Sequence, residues 1–165
     1  MTPQELKDGI CQRLAELWPE RTVYPDVCPD DHDRPSSYVQ MLESTPTQVN
    51  AHMVRWDAKL LIVLWGELDG YSLADSDALM ADQAKVISTL FPLLAVGDRV
   101  VSLAVSDQGQ DQGDGSAFVE ATCQWYDGLD SVKAAADGGE PRPDPPTMKN
   151  FHGTIQNGKG AEENG

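Results

Sequence analysis

The chain has 165 residues, with 27 acidic against 12 basic side chains and a formal net charge of −15. A surface this negative, without a Lys/Arg cluster, argues against direct or sequence-specific nucleic-acid binding. The longest apolar run, Leu60 to Trp65, falls far short of the roughly 20 residues needed for a membrane-spanning helix.

Thr2-Pro3-Gln4-Glu5 reads as a capping box with Thr2 at the N-cap and Pro3 at the first helical position. Leu6, Ile10, Leu14 and Leu17 then mark one face of a first helix, which Pro19 stops. Acidic Glu5 and Asp8 stand where a signal peptide would need an apolar run. Arg21 to Tyr24 is a short strand. Pro25 to Asp33 is a loop rich in turn formers. Arg34-Pro35 opens a strand over Ser36 to Leu42, and the polar stretch Glu43 to Gln48 turns it round.

In the return strand Val54, Trp56, Ala58, Leu60, Ile62 and Leu64 share one face. Arg55, Asp57 and Lys59 take the other until Leu61, Val63 and Trp65 replace them. Val49, Ala51 and Met53 have the opposite parity, which implies a bulge or twist near Met53 and a hairpin arm that leaves the sheet. Gly66 to Tyr71 is a loop. A second helix starts between Ser72 and Ser76 and ends before Pro92, with Leu73, Met80, Ala84, Ile87 and Phe91 as its buried face.

Strands over Arg99 to Ser106 and Ala117 to Tyr126 follow, joined by a polar, mobile loop, Asp107 to Gly115. From Asp130 onward only Val132, Met148, Phe151 and Ile155 are large and apolar, too few for a core. The expected organisation is an α+β domain over residues 1–129 and a Pro/Gly-rich extended C-terminal tail over 130–165. The domain is a mostly antiparallel sheet with two helices packed on one face and a long hairpin arm.

Three cysteines (Cys11, Cys28, Cys123) without a CxxC pair fit a reducing compartment, the cytoplasm. Cys28 and His32, four apart with Asp30 and Asp31 between them, form the one metal-like cluster, and no second ligand pair accompanies them. Acids at 107, 111 and 114 do not match the alternating spacing of an EF-hand loop. No nucleophile motif or phosphate-binding glycine loop is present, so the residues point to no enzyme, metal or cofactor.

Several strings carry a family resemblance: Leu14 to Pro19, Val23-Tyr24, Arg34-Pro35-Ser36-Ser37-Tyr38-Val39-Gln40, Leu60 to Trp65, and Phe118 to Tyr126. Together with the order of elements, they resemble the tail terminator (tail completion) proteins of long-tailed bacteriophages over about residues 4–127. The resemblance implies a virion protein, assembled in the host cytoplasm as a homo-oligomeric ring, usually a hexamer. Its partners would be the tail tube protein, whose polymerisation it ends, and the head–tail connector or stopper protein. It implies no catalytic residues. A negative lumen would also suit a ring through which DNA passes.

The tail departs from the compact family pattern. Pro141, Pro143, Pro145 and Pro146 suggest an extended linker, and Phe151 and Ile155 beyond it are candidate anchors on a neighbouring subunit. Within the domain, Ser44, Thr45, Thr47, Gln48, Asn50 and His52 at the hairpin tip are the leading contact candidates. The charged strip Arg55, Asp57 and Lys59 is a second. The alternatives are another neck component, either a head-completion or a stopper protein, and a small metal-binding hydrolase built on Cys28 and His32.

Overall fold

A computed structural model describes residues 1–129. Helix α1 (Pro3–Leu17) begins as its sequence dictates: Glu5 N–H donates to Thr2 Oγ1 at 3.2 Å and Thr2 N–H donates to Glu5 Oε2 at 2.7 Å. The reciprocal pair satisfies two amide donors that the first turn leaves without partners. Leu6, Ile10 and Leu14 are fully buried, each removal from water contributing about 1.5–3 kcal/mol. Trp18 caps the helix, and the Arg21 guanidinium lies 4.2 Å over its ring while bonding Asp82 at 2.7 Å.

Helix α2 (Ser76–Leu90) starts on Asp75, whose carboxylate accepts from the amides of Asp77 and Ala78. Its buried residues are Leu79, Gln83, Val86 and Leu90. Met80 and Phe91, expected to be buried, are 58% and 56% exposed, and Leu73 and Ala84 are exposed too. The helix is therefore turned by about one residue from the face its apolar side chains suggest. A polar residue holds the buried row. Gln83 Nε2 lies 2.9 Å from Asp107 Oδ1, 3.0 Å from Gly109 O and 3.1 Å from Phe118 O, and its Oε1 accepts from Gln110 Nε2 at 3.0 Å. A buried amide is tolerated when bonded in this way.

The strands are β1 (Thr22–Pro25), β2 (Ser36–Gln48), β3 (Met53–Trp65), β4 (Leu93–Val96), β5 (Arg99–Asp111) and β6 (Ser116–Gly128). They form one six-stranded sheet in the order β1-β2-β3-β6-β5-β4, antiparallel except for the β1/β2 pair. The broad α+β class follows. A single core cluster joins Leu6, Ile10 and Leu14 of α1 and Leu79, Val86 and Leu90 of α2 to Leu60, Ile62 and Leu64 of β3 and to Val119, Ala121 and Trp125 of β6. α1 meets β1, β2 and β4, α2 meets β3, β5 and β6, and the two helices touch. Among the described residues no helix is long and apolar enough to cross a membrane.

Three local expectations are corrected. Glu43 to Gln48 is not a turn: β2 continues to Gln48, and the reversal lies at residues 49–52. Backbone pairing with β3 carries this half of the strand without apolar burial. The register shift lies between Met41 and Glu43, not near Met53. The odd parity of Val49 and Ala51 reflects the turn itself. Asp107 to Asp111 is strand rather than loop, pairing with Ser116 and Ala117 after a shift between Asp107 and Gln110. A strand was also missed: β4 turns into β5 through Gly97 and Asp98, with Gly97 at φ +59°, where glycine carries no Cβ penalty. The Gly-Asp dipeptide was the available signal.

Candidate subunit interface

Strand register assembles the charged strip. Thr47 pairs with Arg55 and Arg55 with Tyr126; Thr45 pairs with Asp57 and Asp57 with Gln124; Glu43 pairs with Lys59 and Lys59 with Thr122. These three rungs lie on the face of the sheet opposite the core residues Ala58, Leu60, Cys123 and Trp125. Arg55 Nε donates to Asp57 Oδ2 at 3.0 Å, Gln124 Nε2 donates to Asp57 Oδ1 at 2.5 Å, and Lys59 Nζ lies 2.8 Å from Glu120. The strip is internally paired, and each such half-exposed ion pair contributes about 0–1 kcal/mol. Glu43, Thr122, Gln124 and Tyr126 complete the rungs. The alternation of the last strand placed the β6 residues on one face, but only the register shows which candidates they meet.

Every residue from Leu42 to Met53 is exposed, including Ser44, Thr45, Thr47, Gln48, Asn50 and His52. Apolar Leu42, Val49 and Met53 are 47%, 51% and 39% exposed. β1 covers only Ser36 to Val39 of β2, so the rest of that edge has no partner strand among the described residues. Val49 N–H donates to Met53 O at 2.9 Å. The odd residues of this half therefore bond inward to β3, and Ser44, Pro46 and Gln48 turn their backbone nitrogens to the open edge. Pro46 has no N–H to offer there, which blunts the edge against another strand. On its inner side β3 pairs with β6 along its whole length, Met53 with Gly128 through Trp65 with Ser116.

At the opposite end of the sheet His32 lies on Trp65, ring centroids 4.0 Å apart, and Trp65 Nε1 donates to Asp114 Oδ2 at 3.3 Å. Cys28 Sγ and His32 Nδ1 both approach Pro29 O, at 3.5 and 3.3 Å. Among the described residues no group of three His, Cys, Asp or Glu is placed to hold a metal ion. Burial pushes the Cys11 and Cys123 thiols up to about 11, and Asp8 adds to the effect at Cys11. The Cys28 thiol is also raised, by desolvation and then by Asp30. Phe151 and Ile155 lie outside the described residues.

No protein-family model and no curated protein matches the chain. Solved structures do match it; in one of them the likeness covers 78% of this chain and 96% of that one, at 17% identity with a TM-score of 0.44. At that level the likeness carries no functional argument.

Proposed function

We propose that the protein is a ring-forming structural component of a phage tail, a tail terminator that caps the tail tube and offers its other surface to the head–tail connector. The observation that carries this reading is the long β2–β3 hairpin. Its distal half, Leu42 to Met53, is wholly exposed and carries three large apolar side chains, more than a solvated loop requires. In this reading the two helices form one layer on one face of the sheet. The exposed distal hairpin stays beside β6 within the sheet rather than leaving it as an arm. It is then the contact surface for a neighbouring subunit or the tube, and Phe151 and Ile155 of the C-terminal extension are further anchors. The family resemblance in the sequence supplies the identity of the ring; the exposed hairpin is where it would be made.

The test is the mass of the purified protein in solution, with and without tail tubes, together with images of the mixture. Rings, or caps at tube ends, are the expected result. A monomer that also ignores tube ends overturns the reading. Binding to the portal side alone would make the protein a stopper instead.

A further inference from the structure

The outer face of the sheet changes character across its width. The β2–β3–β6 part carries the charged rungs, whereas the β4–β5 part is uncharged, with apolar side chains beside exposed Ser102 and Ser106. Leu93 and Ala95 of β4 and Val100 of β5 alternate with core-facing Leu94, Val96 and Val101, and pairing sets Ala95 against Val100. Leu93 is 60% exposed, Val100 65% and Tyr126 53%. Arg99 Nη1 donates to Tyr126 O at 3.4 Å, which brings β6 against the start of β5 at this point. Scattered apolar residues are ordinary on a surface, but three large ones on contiguous strands make a patch.

Beside the patch lies an open trough of about 620 Å³, lined by Glu43, Asp57, Lys59, Ala104, Gln124 and Tyr126 among others. Among the described residues Glu43 has no cationic partner, and its carboxylate accepts from Thr45 Oγ1 at 3.2 Å.

The chain contains one segment of complementary chemistry. Residues 145–161 hold no acid and carry Lys149 and Lys159. They also hold Met148, Phe151 and Ile155, three of the four large apolar side chains beyond Asp130. In a chain of net charge −15, a basic and apolar stretch complements an apolar patch beside a trough in which Glu43 has no cationic partner among the described residues. The run Pro141 to Pro146 holds four prolines, and a spacer of that composition spans about 3.1 Å per residue. The extension follows Leu129, whose N–H is bonded to His52 O beside the hairpin turn. In the oligomeric reading above, the anchors Phe151 and Ile155 meet a neighbouring copy.

We infer that the trough and patch on the outer face of one copy receive residues 147–159 of a neighbouring copy. Phe151 and Ile155 pack on Leu93, Val100 and Tyr126, and the lysines are drawn to Glu43. The inference rests on the oligomeric reading above. It also gives that reading a geometry, because a donor segment and a distinct acceptor face make a heterologous contact, the kind that closes rings.

The test uses the full chain, by sedimentation velocity across concentration, alone and with tail tubes. Val100→Glu and Phe151→Asp each place a charge in the contact and are expected to weaken association by about tenfold or more. The double variant should weaken it no further than the stronger single one, because both remove the same contact. Near-UV circular dichroism establishes that the variants are folded. A mixture of Val100→Cys chains with Phe151→Cys chains, both carrying Cys28→Ser, should form a disulfide between two chains on mild oxidation. Rings that persist undiminished in Val100→Glu overturn this docking and leave the ring reading standing. So does a disulfide that forms only when both cysteines are on one polypeptide. A wild-type monomer that ignores tubes overturns both.

Discussion

Arg99 Nη1 and Asp127 Oδ1 meet at 2.5 Å across β5 and β6, and the two partners differ sharply in exposure: 44% for the Arg99 side chain, 5% for Asp127. Asp127 is the hub. Its carboxylate also takes the Met1 ammonium at 3.1 Å and Trp125 Nε1 at 3.0 Å. Asp127→Ala leaves a buried ammonium without its counter-charge and should cost about 3 kcal/mol. Arg99→Ala removes a half-exposed partner and should cost about 1 kcal/mol or less. Urea unfolding of the two variants checks the asymmetry, and equal losses would refute it.

Gln83 ties α2 to the irregular stretch of β5. Gln83→Leu keeps the volume but strips the amide partner from the carbonyls of exposed Gly109 and half-buried Phe118, an expected loss of about 1 kcal/mol. Amide hydrogen exchange should quicken first over residues 107–110. Uniform quickening throughout the domain would show that the contact is not local.

Pro46 guards the open edge of β2. Pro46→Val restores an outward N–H on an exposed strand and should leave unfolding nearly unchanged while raising concentration-dependent association. Light scattering over a dilution series is the measurement. Scattering equal to wild type would mean that the proline has no protective role.

The buried thiols make stability depend on alkaline pH. The unfolded chain releases these protons near 9.0, and the folded chain holds those of Cys11 and Cys123 to about 11. Between those values the unfolded state binds fewer protons, so stability falls as pH rises and then levels. The urea midpoint should hold up to about pH 9 and drop by pH 11, with a smaller drop in the Cys11→Ser, Cys123→Ala double variant. Parallel curves would assign the drop to other groups. By the same burial, Cys28, in its exposed loop, should be alkylated first at pH 8.

What the sequence determines by itself is whatever depends on neighbours within a few residues. The Thr2–Glu5 capping box, the Leu6–Ile10–Leu14 stripe and the alternation along Val54 to Leu64 and Ala117 to Trp125 all follow from local geometry and burial, and each stands in the structure as the spacing implies. Gly97-Asp98 is an equally local signal, although β4 was missed. Tertiary structure alone decides the rest. Rotation of α2 cannot be read from its own residues, because Gln83 becomes acceptable in the buried row only through Asp107, Gly109 and Phe118 on distant strands. The polar residues Glu43 to Gln48 and Asp107 to Asp111 become strand because a partner backbone satisfies them, an influence that apolar spacing does not encode. The rungs joining Thr47, Arg55 and Tyr126 likewise arise from register between segments about 70 residues apart, where a one-residue slip would turn every side chain to the other face.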